Sequence, residues 1–227
     1  IIRKAKGKID EVKKKLNFKQ AYGKIVIGHT RWATHGKPNN INAHPHTDCQ
    51  KKIAVVHNGI IQNYHKLKSK LTAKGHKFTS ETDTEVIPHL LEELLKQGNT
   101  PIQAIKKMMK EIKGTYAITA IFQDNPQRIY FTKKISPLII GVNEKYKFIA
   151  SDIPAFLKYT NKVIIIRDNE FGYISPNEVY IEDTNKNKIN IKSRIKTLDW
   201  TPEMAMNCLL YTSDAADDMQ CVDLGGR

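Results

Sequence analysis

From Gly114 onward the sequence is a succession of short apolar runs cut by turn-forming residues: GTYAITAIF, RIYFTK, PLIIGV, KFIASD, KVIIIRD, EFGYIS, EVYIED and KINIKS. Each run is rich in Ile, Val, Tyr or Phe and is bounded by Asn, Asp, Gly or Pro, the pattern of a β-strand between turns. Runs this closely spaced leave no length for the crossovers that parallel pairing needs. The second half therefore predicts antiparallel sheets.

The first half supplies the helices. Residues 4–16 carry Ile9, Val12 and Leu16 at helical spacing among lysines, which predicts an amphipathic surface helix. KIVIGHT (24–30) and IAVVHN (53–58) read as strands, the second broken by Gly59, with a Pro-, Asn- and Asp-containing loop between them. NYHKLKSKLTAKG places Tyr64, Leu67 and Leu71 on one face and ends at Gly75, a C-terminal cap. TDTEVIPHLLEELLKQG opens with Thr82 and Glu85 at capping-box spacing and closes at Gly98, with Pro88 placed awkwardly inside. A further helix spans 101–112. Helices first and strands after make an α+β layered domain.

At 227 residues and 40 % hydrophobic content the chain is long enough for one sizeable core. No apolar run approaches a membrane span, and the opening IIRKAKGKIDEVKKKLNFK lacks the apolar block of a secretory signal, so the expected location is cytoplasmic. Cys49, Cys208 and Cys221 show no metal-type spacing, which fits a reducing compartment without disulfides. The net charge of +14 comes from lysines scattered through KAKGKIDEVKKK, KLKSKLTAKGHK and TNKNKINIKSRIK, without interleaved aromatics that would stack on bases. That distribution describes a solvated basic surface better than a nucleic-acid interface.

Four polar clusters fall at strand ends or in adjoining loops: GHTRWATHG (28–36), NAHPH, VHNG and SETDTE. Arg31 can hold a carboxylate through paired hydrogen bonds and Asp83 can hold an ammonium group, so together they suit a zwitterion such as an amino acid. Asn58 beside Gly59 offers a side-chain amide and a closely approachable backbone N–H, the donors of an oxyanion hole in acyl transfer. The nucleophile is not evident: Ser80 and Thr82 have no base, and Cys49 sits in a polar loop without supporting residues. Each residue alone has a plainer meaning. Aspartate at a helix start is ordinarily a cap, Asn-Gly a turn, Trp32 a packed side chain, and His29, His35, His44, His46 and His57 lack the carboxylate that would make HPH a convincing metal site.

HTRWATHG, NAHPH, HNGIIQNY and SETDTEV together resemble, in order and spacing, the glutaminase (class II glutamine amidotransferase) domain of the glutamine–fructose-6-phosphate aminotransferase family, across residues 1–205. The resemblance implies an N-terminal nucleophile hydrolase fold, an αββα sandwich of two antiparallel sheets between helical layers. It implies that Arg31 binds the α-carboxylate of L-glutamine and Asp83 its α-amino group, that Trp32, Thr34 and His35 line or support the pocket, and that Asn58 and Gly59 form the oxyanion hole. No metal or organic cofactor is implied. Fructose 6-phosphate would bind in a separate isomerase domain of a homo-oligomeric parent.

In that family the nucleophile is an N-terminal cysteine whose α-amine serves as base. The chain begins at Ile1, and none of Cys49, Cys208 or Cys221 matches that position. The expectation is an N-terminally truncated domain at 1–206, inactive alone, followed by an atypical, non-native tail at 207–227. A different amidotransferase using the same module, or a noncatalytic basic binding module, are the alternative readings.

Overall fold

A computed structural model describes residues 1–17, 23–31, 35–185, 187–202 and 204. The tail at 207–227, together with Trp32, Thr34, Cys208 and Cys221, lies outside the described residues. The elements in chain order are α1 (Ile9–Lys15), β1 (His46–Thr47), β2 (Ile53–Ile61), α2 (Tyr64–Ala73), α3 (Val86–Lys96), α4 (Pro101–Glu111), β3 (Gly114–Phe122), β4 (Ile129–Lys134), β5 (Ile139–Val142), β6 (Lys147–Ala150), β7 (Lys162–Ile165), β8 (Glu170–Ile174), β9 (Val179–Asp183) and β10 (Lys196–Thr197).

The strands form a six-stranded sheet in the order β1-β2-β3-β4-β8-β9 and a four-stranded sheet in the order β10-β7-β5-β6. Every pairing is antiparallel, as the spacing of the runs requires. Strand β3 is central and apolar on both faces. Its Tyr116, Ile118, Ala120 and Phe122 pack against α2, α3 and α4, while Ala117 faces the second sheet with Phe131, Ile140, Ile164 and Ile174. A smaller cluster of Phe148, Phe156 and Val163 covers the outer face of the second sheet. Among the described residues no helix is long and apolar enough to cross a membrane.

The helices follow their caps. At the end of α2, the N–H of Gly75 donates to Thr72 O at 2.9 Å and that of His76 to Leu71 O at 3.1 Å, the expected closure. Pro88 proves harmless because α3 begins at Val86 after a 3-10 turn over Asp83–Glu85. The proline thus occupies the first turn, where backbone N–H groups have no intrahelical acceptor. The capping box is at Thr100 and Gln103 on α4, with Pro101 as the first helical residue, and not at Thr82. Glu85 instead reaches back to the N–H groups of Thr79 and Ser80, at 2.8 and 2.6 Å.

Three further expectations are corrected. The helix predicted over 4–16 starts only at Ile9 and buries no residue; Gly7, at φ +133°, turns the chain just before it. KIVIGHT is not a strand among the described residues; Ile25 and Ile27 pack against the core between the sheets without a paired neighbour. KINIKS likewise yields one bridge, Glu182 to Lys188, and a 3-10 turn at Lys192–Arg194. Alternation places apolar side chains on one face, but only hydrogen bonding to a neighbour makes a strand.

Strand β2 does not break at Gly59 but runs through it to Ile61, paired with β3 throughout. Gly59 sits at φ +135°, and a Cβ there would lie 2.1 Å from the carbonyl oxygen of Thr115. No side chain fits, so the glycine is what keeps the strands paired at this point.

Candidate functional site

Alternation along β2 sends neighbouring residues to opposite faces. His57 turns toward the 3-10 turn before α3, where its Nδ1 lies 2.9 Å from Thr84 Oγ1. Asn58 turns toward the second sheet, where its Nδ2 donates to Ser151 Oγ at 3.4 Å. With Gly59 and Ile60, these residues floor a cleft of about 350 Å³ whose walls are His29 and Arg31 on one side and Asp83 and Thr84 on another. His44 and Thr115 complete the lining.

Asp83 is 4 % exposed, and its Oδ2 accepts the N–H of Ile61 at 2.7 Å. That bond ties the start of the 3-10 turn to the end of β2 and fixes the carboxylate above the cleft floor. Arg31 reaches the cleft from the extended segment at 23–31. Its Nη2 donates to the carbonyls of His35 and of Gly36, the latter at 3.1 Å. Both contacts come from a single guanidinium nitrogen of a group that carries five donors. Burial lowers the Arg31 pKa and the facing Asp83 carboxylate opposes that change, so the two charges feel one another across the cleft.

The turn that holds Arg31 is itself held from behind. Gly36, at φ +78°, leaves room for the side chain of Asn42, whose Nδ2 would lie 2.8 Å from a Cβ at that position. Asn42 donates to Lys37 O at 2.9 Å and to Glu81 Oε2 at 3.1 Å, and accepts the Glu81 N–H at 3.0 Å. The loop carrying Asp83 and the loop following Arg31 are therefore joined by one buried amide.

Four imidazoles crowd the back of the site. His29 stacks on His44 with ring centroids 4.4 Å apart, and His44 meets His46 edge-on at 4.9 Å. Burial, followed by charge repulsion from His57, Arg31 and His46, brings His29 down to about 3; burial and Lys4 bring His46 down to about 4. His44 is held far below its ordinary value, by burial first, and His57 is lowered by burial despite the Asp83 charge. At neutral pH these rings are uncharged, so among the described residues lining the cleft the charges are those of Arg31 and Asp83.

Arg31, Asp83, Asn58 and Gly59 are thus brought together as the sequence predicts, while His35 is not part of the lining. Its ring packs edge-on against Tyr64 at 5.3 Å, and its carbonyl positions Arg31. Trp32 and Thr34 fall outside the described residues. Ser80 and Thr82 are not poised hydroxyls: Ser80 Oγ donates to Glu85 at 2.7 Å and meets Thr82 Oγ1 at 2.9 Å, and Thr82 Oγ1 lies 3.1 Å from His46 Nε2. They brace the turn that carries Asp83. Burial raises the Glu85 carboxyl, but hydrogen bonds from His89, Thr79 and Ser80 outweigh it and hold the group far below the usual carboxylate range.

Thr84, Thr115 and Ser151 were not legible as site residues. Thr84 lay within a motif already flagged, whereas Thr115 and Ser151 reach the site only through strand register and sheet packing. The expectation that Cys49 lacks supporting residues is corrected: its Sγ lies 3.7 Å from His76 Nδ1 and 3.5 Å from His89 Nδ1. Those partners come from α3 and the segment following α2, at separations that spacing rules do not scan.

Two stacked antiparallel sheets with helices packed on one face, and a charged cleft at the end of a central strand pair, are the architecture of the N-terminal nucleophile hydrolase fold. The same fold is seen in the glutamine phosphoribosylpyrophosphate amidotransferase of B. subtilis, at a TM-score of 0.55 and 24 % identity over 70 % of this chain and 34 % of that one. A structure described as the allosteric regulatory enzyme of purine biosynthesis matches at a TM-score of 0.54 and 25 % identity, over 66 % of this chain and 32 % of that one. Residues 29–158 match the glutamine amidotransferase domain family, and the chain belongs to that family.

Among its relatives, the glutamine–fructose-6-phosphate aminotransferase of Sulfurisphaera tokodaii is 55 % identical over 204 residues. The enzymes of the same name from Sulfolobus acidocaldarius and Pyrobaculum aerophilum are 48 % and 50 % identical. In each case the match takes in 90 % of this chain and 34 % of the relative, so the chain spans about a third of the length of these relatives.

Proposed function

We propose that the cleft binds L-glutamine and presents its side-chain amide for hydrolysis, and that the chain is the glutamine-handling part of an aminotransferase acting on fructose 6-phosphate. The observation that carries this reading is the opposition of Arg31 and Asp83 across a cleft floored by Asn58 and Gly59. The names of relatives 48–55 % identical support the acceptor sugar.

In this reading the α-carboxylate of glutamine pairs with the Arg31 guanidinium and the α-ammonium with Asp83. The side-chain amide then extends along β2 toward Asn58 and Gly59. A thiolate attacks the amide carbon, and the negative charge that develops on oxygen is met by the Asn58 amide and the Gly59 N–H. The carbon–nitrogen bond breaks, ammonia leaves with a proton passed from the thiol through the base, and water cleaves the thioester to release glutamate. The family resemblance assigns the thiolate to an N-terminal cysteine with its own α-amine as base. Among the described residues, the cleft lining contains no thiol. With the imidazoles neutral, Arg31 is the cation among the described lining residues that can meet the carboxylate. The glucosamine 6-phosphate formed by such an enzyme would arise outside the described residues.

The test is a ligand-deletion series by isothermal titration calorimetry on the chain. L-Glutamine is compared with glutaramate, which lacks the α-ammonium, and with 4-aminobutyramide, which lacks the carboxylate. The proposal expects both truncated ligands to bind more weakly, with the loss for glutaramate shrinking in Asp83→Asn and that for 4-aminobutyramide shrinking in Arg31→Ala. Equal binding of all three ligands, or no glutamine binding at all, refutes it.

A further inference from the structure

At α3, three chain segments deliver four metal-type ligands to one point. Cys49 lies on the turn between β1 and β2, where Asp48 accepts the N–H groups of Ile53 at 2.7 Å and of Gln50 at 3.3 Å. His76 follows the capped end of α2. His89 and Glu92 are three residues apart on α3, a spacing that puts both on one helix face. One ligand atom from each of the four lies within 4.8 Å of all the others.

Four of the six separations are those of a coordination shell. Cys49 Sγ stands 3.7 Å from His76 Nδ1 and 3.5 Å from His89 Nδ1. Glu92 Oε2 stands 3.2 Å from His76 Nδ1 and 3.7 Å from His89 Nδ1. Ligand atoms 2.0–2.3 Å from a central ion at tetrahedral angles are separated by roughly 3.3–3.7 Å. The side chains of His76 and His89 are each 1 % exposed and that of Glu92 7 %, while Cys49 is exposed and gives an entry path.

The surrounding groups orient the ligands. His76 Nε2 lies 3.4 Å from Glu93 Oε2, a partner for its outer nitrogen, while His89 Nε2 lies 3.8 Å from Glu85 Oε1, near the carboxylate but beyond hydrogen-bond distance. Lys96 takes the other oxygen of Glu92 at 2.8 Å. In the tautomer that protonates the outer nitrogens, two imidazole lone pairs face the Cys49 sulfur and the Glu92 Oε2, which also accepts the Cys49 N–H at 3.2 Å. In that tautomer the four groups converge as a set of donors to one cation.

We propose that Cys49, His76, His89 and Glu92 form a structural zinc site. Binding displaces the thiol proton to solvent, and the thiolate and carboxylate then balance the charge of the ion. A sulfur ligand and two imidazoles favour zinc over magnesium or calcium. The ion would pin the β1–β2 turn and the end of α2 to α3. Through His89 and Glu85 it would also stiffen the segment that carries Asp83. The site is independent of the reading of the cleft.

The experiment uses the full 227-residue chain carrying Cys208→Ser and Cys221→Ser, so that Cys49 is the remaining thiol. After chelator treatment, cobalt(II) and then zinc are titrated in, with absorption spectroscopy, thermal unfolding and alkylation of Cys49 as readouts. Expected are one cobalt per chain with thiolate-to-cobalt charge transfer and intense tetrahedral bands, displacement by one equivalent of zinc, a zinc-dependent rise in Tm, and slowed alkylation. Cys49→Ser abolishes the charge-transfer band, and Glu93→Gln weakens zinc binding by about 10- to 100-fold, the usual effect of losing an outer-shell partner. If Cys49→Ser fails to fold, alkylation of Cys49 in the background chain decides. Substoichiometric uptake, a cobalt spectrum without the sulfur band, or alkylation indifferent to zinc overturns the proposal and leaves the cluster as a hydrogen-bonded group with the His76 ring between Glu92 and Glu93.

Discussion

Asp83 carries two duties that substitution can separate. Its Oδ2 accepts the Ile61 N–H at 2.7 Å in a position only 4 % exposed, and its charge faces Arg31 across the cleft. Asp83→Asn keeps an acceptor oxygen for Ile61 but removes the charge. A hydrogen bond to a charged group contributes roughly 1.5–3 kcal/mol, so glutamine affinity should fall by about 10- to 150-fold. Stability should change by less than about 1 kcal/mol, the size of one neutral hydrogen bond. Asp83→Ala loses the same affinity and also strands the Ile61 N–H, which costs a further 1–3 kcal/mol or so. Calorimetric titration with L-glutamine measures the first quantity and urea unfolding the second. Glutamine binding to Asp83→Asn within twofold of the unaltered chain would refute the ammonium role. Equal stability loss in the two variants would refute the assignment of the Ile61 bond.

Three other outcomes are expected. Gly59→Ala combines a positive φ with a Cβ 2.1 Å from the Thr115 oxygen, so it should destabilise the chain by about 3 kcal/mol or more and separate β2 from β3, seen as a lowered urea midpoint and lost amide protection at Ile60 and Ile61. His46 titrates at about 4 when folded against an ordinary 6.5, so the unfolded chain takes up a proton first as pH falls. The associated stability, on the order of 3 kcal/mol, is complete above pH 6.5 and lost on the way down to about 4; His46→Gln should flatten urea-derived stability across that window by about one proton. Arg31→Lys keeps the positive charge but replaces the planar fork with a point charge, so it should weaken glutamine binding by about tenfold or more while leaving the urea midpoint nearly unchanged.

The sequence was most informative where chemistry and chain neighbourhood coincide. Arg31, Asp83 and the Asn58–Gly59 pair each stood in a short polar motif beside an apolar run, and the fold brings these motifs together. The antiparallel sheets were legible because turn residues punctuate the strands so closely. What escaped were relations set by register and packing. Gly59 looks like a strand breaker in one dimension, yet it is required because Thr115 approaches on the neighbouring strand. Thr82 and Glu85 have capping-box spacing, but burial of Glu85 beside Thr79 and Ser80 offered its carboxylate better donors. The alternation in KIVIGHT marks a buried face without supplying a partner for its backbone. Cys49, His76, His89 and Glu92 are held together by the packing of α2 and α3, which no spacing rule encodes.

The most direct test of the glutamine-site assignment is a crystal structure of the chain with L-glutamine bound. The expected density places the α-carboxylate on the Arg31 guanidinium, the α-ammonium on Asp83, and the side-chain carbonyl oxygen against Gly59 and the Asn58 amide. Glutamine bound elsewhere, or bound in the cleft with its amide at Arg31 and its carboxylate at Asn58, would contradict the assignment.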